Sequence, residues 1–127
     1  MKTLVTSYTK LAPAFPSLTK SLDGSKSFKE LKILAKAGKR FFKEIEVIDI
    51  ANKAKAEEWN GKNPVLSEDS ENFAERDAER RKSMTEFFEE KKKFEEEEIT
   101  FEIPEEELKA VRDNLDNFKP AKDFSTL

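Results

Sequence analysis

Apolar residues in this chain recur mostly at steps of three and four, the period of an amphipathic helix, and only one stretch steps by two. Leu4, Tyr8, Leu11, Phe15, Leu18 and Leu22 form the first helical stripe. The β-branched run Thr3 to Thr9 competes with it, and Pro13 and Pro16 each lack the backbone donor that a helix interior uses. The pattern predicts an extended Lys2 to Val5, then a helix from about Ser7, bent near Pro13 and closed at Asp23-Gly24.

Ser27 followed by Glu30 is a capping box, in which the Ser oxygen takes a free amide and the Glu reaches back. A seam of Leu31, Leu34, Gly38, Phe41, Ile45, Ile48, Asn52 and Trp59 follows, and Asn60-Gly61 with Pro64 reads as its left-handed stop. A turn-rich loop from Gly61 to Asp69 offers Ser67, Asp69 and Ser70 as caps for a second long helix carrying Phe73, Met84, Phe87 and Phe94. Opposite charges four apart, such as Glu89 with Lys93 and Lys91 with Glu95, support that helix by a few tenths of a kcal/mol each.

The two long helices predict an antiparallel hairpin. With a turn near residue 66, level residues have numbers summing to about 132, which pairs Trp59 with Phe73, Ile48 with Met84, Ile45 with Phe87 and Gly38 with Phe94. A glycine opposite a phenylalanine explains why Gly38 is tolerated mid-helix, where it costs about 1 kcal/mol relative to Ala. On this register Gly38→Leu should overpack against Phe94. Phe41-Phe42 and Phe87-Phe88 fall at similar levels. Because neighbouring helical residues point about 100° apart, one of each doublet fills the seam and the other faces a third element or a subunit interface.

The exception to helical period is residues 99–103, where Ile99, Phe101 and Ile103 alternate with Thr100 and Glu102 as in a half-buried strand. A strand needs a partner. Lys2 to Val5 is the internal candidate, and a neighbouring chain's edge is the other. Pro104 then opens a last helix with three Glu at its positive end and the stripe Leu108, Val111, Leu115, Phe118, ended by Lys119-Pro120. The expected fold is mainly α: a long antiparallel helical hairpin with an N-terminal helix, one short β segment and a C-terminal helix. It reads as a single domain over 1–127, with an N-terminal segment 1–24, the hairpin 27–97, strand plus helix 99–119 and a tail 120–127.

Composition narrows the function classes. Of 127 residues 40% are charged and 36% apolar, which suits long helices with thin apolar seams, and eleven Phe supply those seams. The chain has neither Cys nor His, so the thiolate and imidazole groups on which most metal sites and general bases rest are missing. No run approaches the ~18 apolar residues of a membrane span, and the start does not read as a signal peptide, which points to an intracellular protein that does not engage a membrane. Nucleotide-loop, zinc-protease, nucleophile-elbow and Cys-pair patterns are absent. The segment Ser67 to Glu71 lacks the ligand alternation and central Gly of a calcium loop. Runs of Glu at 95–98 and 105–107 point around a helix in all directions and read as solvated charge. The expectation is a non-enzyme with no cofactor and no metal.

Charge is split along the chain. Residues 1–62 carry 13 Lys/Arg against 7 Asp/Glu, and residues 63–127 carry 11 against 20. Lys29, Lys32, Lys36, Lys39, Arg40 and Lys43 form a basic stripe beside the first seam. It is a candidate phosphate-contact patch, yet the net charge of −3 and the lack of interleaved aromatics argue against nucleic acid and for an acidic protein surface.

The order of elements, "MKTLV", "LAPAFPSL", "SFKELKILAK", a charged helix opening with "NF", then "EITFEI" and a Glu/Leu helix, resembles a group of short proteins encoded by tailed phages and prophages. The resemblance implies a phage gene product and no assigned chemistry. With the split charge and spare Phe faces, it leads to the expectation of a structural or assembly protein acting in multiple copies at a tail, neck or capsid site, located in the host cytoplasm during assembly and in the virion. Its partners would be itself and other phage structural proteins, contacted through Phe41, Phe42, Phe87, Phe88 and the strand residues Ile99, Phe101 and Ile103. The alternative is a small phage-encoded inhibitor of a host enzyme or defence protein.

Overall fold

A computed structural model describes residues 1–69, 71–115 and the backbone of 125–126. Strand β1 (Lys2–Thr6) leads into α1 (Tyr8–Lys20), α2 (Phe28–Lys62), α3 (Phe73–Glu96), β2 (Ile99–Ile103), α4 (Glu105–Leu115) and a two-residue β3 (Ser125–Thr126). The fold is mainly helical with one small antiparallel sheet, as the periodicities predict. Phe118 and the predicted end at Lys119-Pro120 lie outside the described residues.

The alternating segment finds its partner inside the chain. β2 runs antiparallel to β1, from Lys2 opposite Ile103 to Thr6 opposite Ile99. On the other side of β1, Ser125 and Thr126 pair with Val5 and Leu4. The sheet order is therefore β2-β1-β3. A strand in the tail was not legible, because a two-residue segment carries no period. A two-stranded ribbon is marginal without support, and here the support is helical. Leu4 and Ile103 are fully buried in one core with Leu11, Ala14 and Leu18 of α1, Leu34, Ala37, Phe41 and Ile45 of α2, and Leu108, Val111 and Leu115 of α4. Phe41 sits edge-on to Phe101 of β2, with ring centroids 6.0 Å apart. Burying one such ring contributes about 1.5–3 kcal/mol.

α1 contains both Pro13 and Pro16 inside the helix, and both side chains are exposed. The missing amide donors thus fall on the solvent side, while Leu11, Ala14 and Leu18 hold the opposite face in the core. The Ser27 cap at the start of α2 forms, with Ser27 Oγ accepting from the Glu30 amide at 3.2 Å, while the Glu30 side chain reaches back to the Ser27 hydroxyl, which donates to Oε1 at 3.3 Å. Its predicted stop does not. Gly61 is helical, no glycine has positive φ, and α2 continues to Lys62. Asn63 ends it by donating both its backbone amide and Nδ2 to the Trp59 carbonyl at 2.9 Å. α3 starts from Asn72, itself left-handed at φ 58°, rather than from Ser67 or Asp69; Ser70 lies outside the described residues.

α2 is 35 residues long, about 52 Å. Its buried residues all lie between Leu34 and Ile45, and α3 has none. The hairpin is therefore peripheral, and its register differs from the prediction. Trp59 stacks on Phe87 at 5.9 Å, not on Phe73, and donates Nε1 to Ser83 Oγ at 3.0 Å. Arg80 lies 5.2 Å over the indole, and Asn52 Nδ2 reaches Glu95 Oε2 at 3.0 Å. Relative to the predicted register, α3 has slid by roughly three turns. The physical reason is that the predicted pairs presumed the hairpin to be the core. The better-packed solution gives the apolar face of early α2 to α1, the ribbon and α4, and leaves α3 to the distal end.

Gly38 illustrates the exchange. A Cβ built there would meet Leu18 Cδ2 at 3.8 Å and Phe15 Cε2 at 4.0 Å, both on α1, and not Phe94. These are ordinary contact distances, so a methyl group fits. Gly38→Ala is expected to stabilise the protein by about 0.5–1 kcal/mol through helix propensity alone. A thermal melt should show a midpoint about 3 °C higher, and a lower midpoint would mean the site is tighter than these distances.

Candidate interaction surfaces

The phenylalanine doublet on α2 divides as its 100° offset requires. Phe41 enters the core completely, which corrects its assignment to an interface. Phe42 turns toward α1, meets Phe15 at 5.6 Å between ring centroids, and keeps 47% of its surface exposed. One turn earlier Gly38 offers no side chain, so an apolar groove of about 400 Å³ opens between the helices. Phe15, Leu18, Leu22, Leu34, Gly38 and Phe42 line it, with Lys39 at the edge. Periodicity shows that Gly38 lies near the seam but not which helix faces it, and so the groove was not legible in the sequence.

The second doublet behaves differently. Phe87 is half-buried against Trp59, while Phe88 is 55% exposed and meets Phe87 edge-on at 5.6 Å. A cleft of about 350 Å³ beside them, lined by Ala51, Asn52, Lys55, Lys91 and Phe94, separates α2 from α3. The strand residues face inward: Ile103 is fully buried, and Ile99 and Phe101 pack against the core. Their side chains are committed to the ribbon's own support, and Thr100 and Glu102 occupy the outer face.

Of the basic stripe, Lys29, Lys32, Lys36, Lys39 and Lys43 are exposed along α2. Arg40 departs from it. Its Nε donates to Glu107 Oε1 at 2.8 Å and its Nη2 to Oε2 at 3.3 Å, a forked pair joining α2 to α4. Glu107 is only 2% exposed, which corrects the reading of Glu105 to Glu107 as uniformly solvated. Removing Arg40 would strand the buried Glu107 carboxylate, whereas Arg40 keeps 37% of its side chain exposed and could be solvated without its partner. The Glu run at 95–98 is also not all free: Glu95 takes Asn52 and Lys91, the latter at 3.2 Å. Among the described residues no three carboxylates converge where a metal ion could sit, and no helix is long and apolar enough to cross a membrane.

A polar junction ties the three long helices together near this point. Thr9 Oγ1 donates to the Glu95 carbonyl at 3.1 Å, and Tyr8 Oη donates to Asp49 Oδ1 at 2.6 Å. That hydrogen bond, followed by burial and the nearby charges of Asp49 and Glu95, pushes the Tyr8 phenol up to about 12. Comparison with protein-family models, with curated proteins and with solved structures finds no match for the chain.

Tyr8 is the single tyrosine, so its phenolate absorbance reports on the junction alone among tyrosines. Its folded-state pKa is raised, so its stabilising contribution is complete below the ordinary value near 10 and is lost as pH rises through about 12. Half-titration should fall near the upper value in the native protein and move down in Asp49→Asn. Equal curves for the two proteins would show that the phenol does not bond to Asp49.

Proposed function

We propose that the chain is a non-enzymatic structural or assembly protein of a tailed phage, working in multiple copies through contacts between helical faces. The observation that carries the reading is Phe42, a large apolar ring held half-exposed on a packed helix at the lip of an apolar groove. Rings so placed supply binding energy at little entropic expense, because their backbone is already ordered. Phe88 on α3 repeats the arrangement at the distal end. The resemblance in element order supplies the phage context, with manufacture in the host cytoplasm and a destination at a tail, neck or capsid site.

Light scattering of the purified chain across a concentration series, at low and high salt, tests the reading. The expected result is a mass above that of one chain that rises with concentration, and that falls when Phe42→Ser is introduced. Phe42→Ser should leave the far-ultraviolet circular dichroism unchanged, whereas Phe41→Ser should unfold the core. A single-chain mass under every condition would overturn the multi-copy reading and favour the alternative, an inhibitor that meets a host protein one to one.

A further inference from the structure

The solvent-facing side of α2 carries a second pattern, used by neither the core nor the groove. Lys43, Glu46, Val47, Ile50, Lys53, Ala54 and Glu57 are all exposed, Val47 at 59% and Ile50 at 62%. At 100° per residue they fall within a stripe about 120° wide on the side of the helix away from Phe41 and Ile45. Isolated exposed apolar residues need no explanation. These are arranged about Ile50 with near-mirror spacing and inverted charge. Seven residues before it stands Lys43 and seven after it Glu57; Glu46, four before, is answered by Lys53, three after, and Val47, three before, by Ala54, four after. Among the described residues none of Lys43, Glu46, Lys53 and Glu57 forms an ion pair within the chain.

We infer that this face of α2 pairs with the same face of a second copy, antiparallel, with the two-fold axis passing beside Ile50. The inference rests on the multi-copy reading above and names a second surface, beside the Phe42 groove, at which copies meet. Inverting the direction of one helix sets Ile50 against Ile50 and Lys43 against Glu57 at the same level, and brings Glu46 to Lys53 and Val47 to Ala54, each pair on one flank of the stripe and one residue, about 1.5 Å, off level. A two-fold axis makes each contact between unlike residues twice and the Ile50 contact once. A parallel pairing sets Lys43 against Lys43 and Glu57 against Glu57, and a copy of any other sequence has no reason to match the inverted charges. The small Ala54 opposite Val47 allows the helices to approach to the usual 8–10 Å. Residues 43–57 span about 22 Å, so the contact lies below the ~800 Å² per partner of a standard stable interface. The pair is accordingly weak and concentration-dependent, and the array of copies strengthens it by placing many such contacts side by side.

The absence of cysteine from the chain makes the register directly testable in the full-length protein. Ile50→Cys should form a disulfide-linked dimer under mild oxidation, and a mixture of Val47→Cys with Ala54→Cys should form a mixed one. Val65→Cys, in the loop after α2 and more exposed still at 86%, should not. Adding Lys43→Glu to Ile50→Cys should slow cross-linking about tenfold through repulsion repeated on both sides of the axis, and further addition of Glu57→Lys should restore it. If light scattering shows oligomers while Ile50→Cys links no faster than Val65→Cys, the copies meet elsewhere and this inference is overturned with the multi-copy reading intact. If the double charge reversal does not rescue, the antiparallel register is wrong. A single-chain mass under every condition overturns both.

Discussion

Everything in this molecule depends on the pairing of residues 2–6 with 99–103. A strand cannot leave its amides and carbonyls unpaired at low cost, and closing this ladder brings the start of the chain beside the end of α3. With the ribbon in place, α1 must leave from one end of β1 and α4 from one end of β2, and the apolar faces of both converge on the first half of α2. Phe41 and Phe101, edge to face, mark where sheet and helix meet. The ion pair of Arg40 with the buried Glu107 fixes α4 in rotation, since the forked geometry tolerates little turning of either helix.

A second constraint is one of length. The core is about as deep as the stretch from Leu34 to Ile45, while α2 runs on to Lys62. Beyond Asp49 the helix is held, among the described residues, by α3, and that contact is narrow: Trp59 with Phe87, Ser83 and Arg80, and Asn52 with Glu95. The Tyr8–Asp49 and Thr9–Glu95 hydrogen bonds brace the point where core and arm meet. A rigid arm with charged and apolar residues on every side is suited to contacts with other molecules. This is the physical link between the fold and the reading of the chain as a component that works by association.

Most element types were legible from local pattern, whereas β1 rested on its β-branched residues against a competing helical stripe and β3 had no period to show it. The three- and four-step apolar spacing specified α1, α2, α3 and α4, the two-step spacing specified β2, and the Ser27–Glu30 cap placed the start of α2 to the residue. Mainly α architecture followed, and the partner of the alternating strand was narrowed to two candidates, residues 2–5 or a neighbouring chain's edge, between which the tertiary structure chose the first. Phe42 and Phe88 as the outward members of their doublets are consistent with the same local geometry.

Which apolar face meets which was decided only by the tertiary structure. Gly38 has the same sequence neighbours whether it admits Phe94 or faces Phe15 and Leu18, and the choice depends on total burial over the whole chain. Early α2 buries more against α1, α4 and the ribbon than against α3, whose surface is too charged to supply a core. The same competition turned Arg40 from the basic stripe toward α4 and took Glu107 out of the solvated run, since the Glu107 carboxylate is tolerated inside only with the half-exposed Arg40 guanidinium 2.8 Å away. Local spacing thus determined what each segment becomes, and the competition among apolar faces for a single small core determined where each segment lies.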